Sequence, residues 1–181
     1  GPIRPNGEID HQPGLFFSTL QQRHPDTVYL PWLPGNSEQL DLSSPVWRTS
    51  FISQLQELRD QGIEGIHLNI EPVSNNDRAY LDLLREIRAA LGPSFFLSHA
   101  TRPAGLFGLS FGGLESRFWS RGFYKKTMHY TDQSVVMAYN TRLKYELPYI
   151  AFVAHQTNLL LHWSCKAPGH RVLVGIPSYE H

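Results

Sequence analysis

Three polar side chains spaced two apart, His67, Asn69 and Glu71, alternate with Ile66, Leu68 and Ile70 in the stretch Glu64-Gly65-Ile66-His67-Leu68-Asn69-Ile70-Glu71-Pro72. A period of two is the pattern of a β-strand. It puts an imidazole, an amide and a carboxyl on one face and the apolar side chains on the other. Such a row is expensive on a half-buried strand unless it is hydrogen-bonded or used. Pro72 has no N–H for a ladder, so the strand should end there with Glu71 at its carboxyl end. In parallel α/β folds that end gathers ligands and catalytic groups. Two readings fit: a site whose acid is Glu71, or a satisfied network that only organises the interior.

A second constellation lies in Ser134-Val135-Val136-Met137-Ala138-Tyr139, where Val135, Met137 and Tyr139 share a strand face and Asn140 lies just beyond. If both strands open onto one mouth, Glu71, Asn69 and Tyr139 converge there. A carboxylic acid, an amide and a phenol suit acid-catalysed cleavage of a polar, uncharged substrate. The acid must then be held protonated, which requires an apolar or partly dry setting. No second carboxylate shares the strand face, as a two-carboxylate glycosidase would need. The substrate itself can supply the missing group. Trp32, near the carboxyl tip of an expected first strand over 28–33, is either a core plug or a flat platform for a sugar.

The elements that must position these groups alternate. Ser44-Pro45 is a helix start, an N-cap followed by Pro at the first helical position, and Phe51, Leu55 and Leu58 continue it towards Gly62. After the strand over 65–71, Asn75-Asn76-Asp77 opens a second helix whose stripe is Tyr80, Leu81, Leu84, Ile87 and Leu91, stopped by Gly92-Pro93. Strands are expected over 94–100, 134–139 and 171–176, with helices over about 116–130 and 145–163. A short helix is expected from Leu15 to Arg23, and a Gly-rich surface loop over 101–113. Strand and helix in strict alternation mean a parallel sheet with right-handed crossovers. The fold class is α/β, of the (β/α)8 barrel type, as a partial barrel of about five parallel strands. Residues 1–181 are expected to form a single catalytic-type domain, incomplete at both ends, because a whole barrel takes about 250 residues.

Composition removes other classes. Sixteen basic residues balance sixteen acidic ones, so no global field draws in nucleic acid or an anionic membrane. No apolar run is long enough to span a bilayer. The one cysteine, Cys165, cannot form an internal disulfide. No dinucleotide fingerprint, phosphate loop, zinc spacing or serine elbow is present, and no cofactor or metal is expected. The chain opens on Gly1-Pro2 rather than Met, so an export signal can have been removed and the compartment is open.

Glu64-Gly65-Ile66-His67-Leu68-Asn69-Ile70-Glu71 resembles the Asp-Gly-x-Asp-x-Asp-x-Glu signature of family-18 glycoside hydrolases, the chitinase family. Met137-Ala138-Tyr139-Asn140 is similar to that family's Met-x-Tyr-Asp motif two strands on. Gly175-Ile176-Pro177-Ser178-Tyr179 is similar to its Gly-x-Pro-x-Tyr segment on the next strand. The resemblance implies hydrolysis beside an N-acetylglucosamine unit, with an oligosaccharide as partner. Glu71 would protonate the glycosidic oxygen while the substrate's acetamido oxygen attacks the anomeric carbon. Tyr139 would hold the acetamido carbonyl and Asn69 would orient its N–H; His67, Asn140, Met137, Trp32 and Tyr179 would line the substrate site. His67, Asn69 and Asn140 stand where the family has aspartates. An Asn two residues before the catalytic Glu is also the arrangement of the related family-85 endo-β-N-acetylglucosaminidases. The resemblance therefore implies either an active hydrolase or a non-catalytic sugar-binding relative.

Overall fold

The computed structural model describes residues 1–10, 19–20, 22–105, 117–139, 141, 143, 145–165, 167 and 169–176. Among them the chain alternates as expected: β1 Trp32–Asn36, α1 Pro45–Asp60, β2 Gly65–Glu71, α2 Arg78–Leu91, β3 Phe96–Thr101, α3 Arg121–Met128, β4 Gln133–Met137, α4 Glu146–Ser164 and β5 Arg171–Gly175. The strands follow one another in the sheet in chain order, and the β1–β2 and β4–β5 pairs are parallel. Two compact units result: Gly1–Val73 with Arg78–Ser98, and Ser74–Asp77 with His99–His181.

In the first unit the alternation of β2 is realised as read. Ile66, Leu68 and Ile70 are 0–1% exposed, while His67, Asn69 and Glu71 are half-buried. Phe51 and Leu55 of α1 and Tyr80, Leu83, Leu84 and Ile87 of α2 complete the core. The cap of α1 is the one expected: Ser44 Oγ accepts the Trp47 N–H at 3.3 Å, with Pro45 opening the helix.

The first strand departs from expectation. It runs over Trp32–Asn36, not 28–33, so Trp32 begins it instead of standing near its carboxyl tip. Pro34 and Gly35, a pair common in turns, both lie inside the strand. Pro34 is tolerated because β1 ends the strand order: its absent N–H would point away from β2, and its carbonyl accepts the Ile3 N–H at 2.8 Å. Gly35 sits at a close approach: a Cβ there would lie 2.8 Å from Leu40 Cδ1 and 3.2 Å from Ile3 Cδ1, so those side-chain ends would have to shift. Pro and Gly here mark an edge and a close approach, not a turn.

In the second unit α3 is shorter than the expected 116–130. Ser120 caps it by accepting the Phe123 N–H at 3.2 Å, and Trp119 before it is extended, bridging Ala104. Trp119 packs edge-on against Phe123 at 4.6 Å and Tyr124 at 5.4 Å between ring centres, and Tyr124 lies 5.5 Å from Trp163 of α4. Gln156, in the middle of α4, is buried; its Oε1 accepts the Ala104 N–H at 2.7 Å and its Nε2 donates to the Ala104 carbonyl at 3.0 Å. Most of the expected helix from Leu15 and of the loop over 101–113 lies outside the described residues.

Candidate active site

The first unit presents the polar row. The β1–β2 register pairs Trp32 with His67, Pro34 with Asn69 and Asn36 with Glu71. Partners in a parallel register project from one face, so Trp32, Pro34 and Asn36 flank the imidazole, amide and carboxyl in turn. Trp32, 60% exposed, lies at the amino end beside His67, two layers from Glu71. His67 Nδ1 is 2.8 Å from Ser98 Oγ, and burial pushes its imidazole below the ordinary range, so the ring is neutral at neutral pH. Its described partner is therefore the hydroxyl of Ser98.

Glu71 is the last residue of β2, as Pro72 required. Its backbone is pinned from β1: the Ser37 N–H donates to the Glu71 carbonyl at 2.9 Å, and the Ser37 hydroxyl donates to the Pro72 carbonyl. Asn36, Ser37 and Ser98 were missed by sequence reasoning. A first strand over 28–33 leaves the first two beyond its end; with the strand running to Asn36, its tip falls level with Glu71.

The second unit carries Met137 and Tyr139. Met137 closes β4 and pairs with Gly175; Tyr139 follows two residues later. The Tyr139 hydroxyl donates to Met137 Sδ at 2.9 Å. Its ring lies against the backbone of β5, where a Cβ on Gly175 would stand 3.4 Å from Tyr139 Cε1. Asn140 and Tyr179 lie outside the described residues.

His99 is fully buried, its ring 5.9 Å from that of Trp119 and its Nε2 3.0 Å from Ser134 Oγ. The same hydroxyl is 3.0 Å from His170 Nε2, and His170 Nδ1 is 2.8 Å from the Thr131 carbonyl. A carbonyl only accepts, so His170 Nδ1 carries the hydrogen. Burial lowers the His170 pKa, against an opposing pull from the Thr131 carbonyl and Asp132, so His170 Nε2 is an acceptor. Ser134 thus donates to His170 and accepts from His99 Nε2–H. This chain is a structural rivet at the amino end of β4. Among the described residues no group of three or more His, Cys, Asp or Glu could hold a metal ion, and no helix is long and apolar enough to cross a membrane.

No family model matches the chain, and no curated protein matches it by sequence. Solved structures do match in fold. YdhD of Bacillus subtilis, a candidate sporulation-specific glycosylase, superposes with a TM-score of 0.67 at 19% identity over 98% of this chain and 61% of its own. The spore cortex-lytic enzyme SleL of Bacillus megaterium gives 0.66 at 12% identity over 96% of this chain and 41% of its own. The chitinase domain of the spore coat protein CotE of Clostridium difficile gives 0.63 at 18% identity over 92% and 53%. The chain is thus similar in fold to chitinase-like and glycosylase domains, and it spans about 60% or less of these three structures.

Proposed function

We propose that the chain is a retaining, substrate-assisted glycoside hydrolase of the family-18 type, acting on N-acetylglucosamine-containing glycans with Glu71 as general acid and base. The observation that carries this reading is the half-buried Glu71 at the carboxyl end of a parallel strand, on the face it shares with Asn69. The fold common to a chitinase domain and a cortex-lytic enzyme supports it.

In the first step Glu71 gives its proton to the glycosidic oxygen as that bond breaks, and the acetamido oxygen of the same sugar closes on the anomeric carbon. In the second, Glu71, now a carboxylate, takes a proton from water as the water opens the ring-fused intermediate with retention. Asn69 orients the acetamido N–H through its side-chain oxygen. The motif order assigns Tyr139 to the acetamido carbonyl. Asn69 carries no charge to offset the cationic intermediate, so turnover is expected to be slower than with Asp at that position.

Chitin, peptidoglycan and N-glycan oligosaccharides, incubated with the protein and followed by mass spectrometry, test the reading. Cleavage next to N-acetylglucosamine by the wild type, lost in Glu71→Gln by roughly a thousandfold with binding kept, is the expected result. Unchanged cleavage by Glu71→Gln eliminates the assignment. The uncharged Asn69 favours one second reading, a non-catalytic sugar-binding relative. It predicts oligosaccharide affinity without product and a gain of activity in Asn69→Asp.

A further inference from the structure

We infer that Asn36 is a substrate-contacting residue of the Glu71 site, its side-chain amide donating to an oxygen of the sugar on the leaving-group side of the scissile bond. The inference rests on the reading of Glu71 as the acid. It starts from the register that pairs Asn36 with Glu71. Parallel neighbours stand about 4.8 Å apart and project from one face, so the amide and the carboxyl are side by side at the tips of two strands.

The orientation of that amide is set locally. Asn36 Oδ1 accepts the Glu38 N–H at 3.0 Å, and the Asn36 carbonyl takes the N–H groups of Gln39 and Leu40 at 2.9 and 3.1 Å. With Oδ1 committed to the turn, the amide offers its Nδ2 end, which only donates. The next residue fixes the spacing, because Ser37 bonds the carbonyls of both Glu71 and Pro72. The donor is therefore held beside the acid by main chain rather than by a flexible stem.

The chemistry fits a glycan. Sugars present hydroxyl and ether oxygens that accept hydrogen bonds. A group next to a general acid must align such an oxygen without competing for the proton, and a primary amide does that where a carboxylate or imidazole would not. Asn69, the amide assigned to the acetamido group, lies one layer deeper on the same face, beside Pro34. Asn36, level with the acid itself, meets the sugar that departs.

Asn36→Asp and Asn36→Ala separate contact from turn formation. Asp keeps an oxygen for the Glu38 N–H but has no donor; Ala loses both. For Asn36→Asp we expect an unchanged melting temperature and a KM for an N-acetylglucosamine oligosaccharide raised about fivefold to tenfold. The affinity of Glu71→Gln for the same oligosaccharide should weaken by the same factor when Asn36→Asp is added. If Asn36 only shapes the turn, Asn36→Asp has wild-type KM and affinity while Asn36→Ala melts lower, and the inference is overturned with the assignment of Glu71 intact. A wild type that neither cleaves nor binds any glycan overturns both together.

Discussion

His67 and His99 are both strand histidines with a serine hydroxyl as partner, and the two units use them in opposite ways. His67 is out of phase with Ile66, Leu68 and Ile70, which fill the core, so its ring stands half-buried on the other face of β2. His99 is in the phase that meets Trp119, fully buried, bonded through Ser134 to His170. A shift of one residue along a strand moves a side chain to the opposite face. That parity, and not the residue type, separates the half-buried ring of the polar row from the ring that is locked inside the fold. The units also hide polarity differently. In the first, the Arg48 guanidinium, 7% exposed, forks onto Glu86 at 2.8 and 3.1 Å and caps the Leu42 and Ser43 carbonyls. In the second, the buried polar side chains among the described residues include no Arg, Lys, Asp or Glu: they are the Thr101, Thr127, Thr131 and Ser134 hydroxyls, the His99 imidazole and the Gln156 amide.

The largest effect should come from breaking the charged solution. Arg48→Ala leaves the Glu86 carboxylate and two carbonyls short of a donor, and is expected to lower stability by about 4 kcal/mol in urea melts. Arg48→Met with Glu86→Leu removes both charges and should restore most of that loss. A double variant as unstable as the single would mean that packing, not charge, explains Arg48. Next comes the pair of histidines. His99→Ala empties a buried site beside Trp119 and removes one of the two partners of the Ser134 hydroxyl, for about 3 kcal/mol. His67→Ala, on the half-buried face, should cost about 1 kcal/mol and fall mainly on activity. Equal losses in the two variants would break the contrast.

Much of this was legible in the sequence where a local rule decides. The Ser44-Pro45 cap, the alternation through Ile70 and the strand-ending Pro72 depend on neighbours within a few positions, and each stands where it was read. What escaped depends on contacts distant along the chain. Pro34 and Gly35 spell a turn until one knows that β1 ends the strand order and that Leu40 and Ile3 press on Gly35. Arg48 and Glu86 lie 38 positions apart, and Gln156 finds Ala104 across 52, so no spacing could have paired them. The face and strand-end position of Glu71 are legible because β2 alternates; the place of Asn36 beside Glu71 is not, because it exists only in the β1–β2 register.

The smallest predicted effect bears on both units at once through pH. Burial holds the His67 and His170 imidazoles below the value of about 6.5 that they have in the unfolded chain. Above that value neither state binds these protons and stability is flat. As pH falls below it the unfolded chain takes up protons that the folded protein refuses, so stability declines until the folded values are passed. Melting temperature should therefore drop between pH 7.5 and 5, a window that ends before most carboxylates titrate. His67→Gln should melt near the wild type at pH 7.5 and decline less steeply. His170→Gln should also decline less steeply, but from a lower start, because it deprives the Ser134 hydroxyl and the Thr131 carbonyl of partners. A His67→Gln curve parallel to the wild type's would assign the proton uptake to other groups and remove the claim that burial keeps this imidazole neutral beside Asn69.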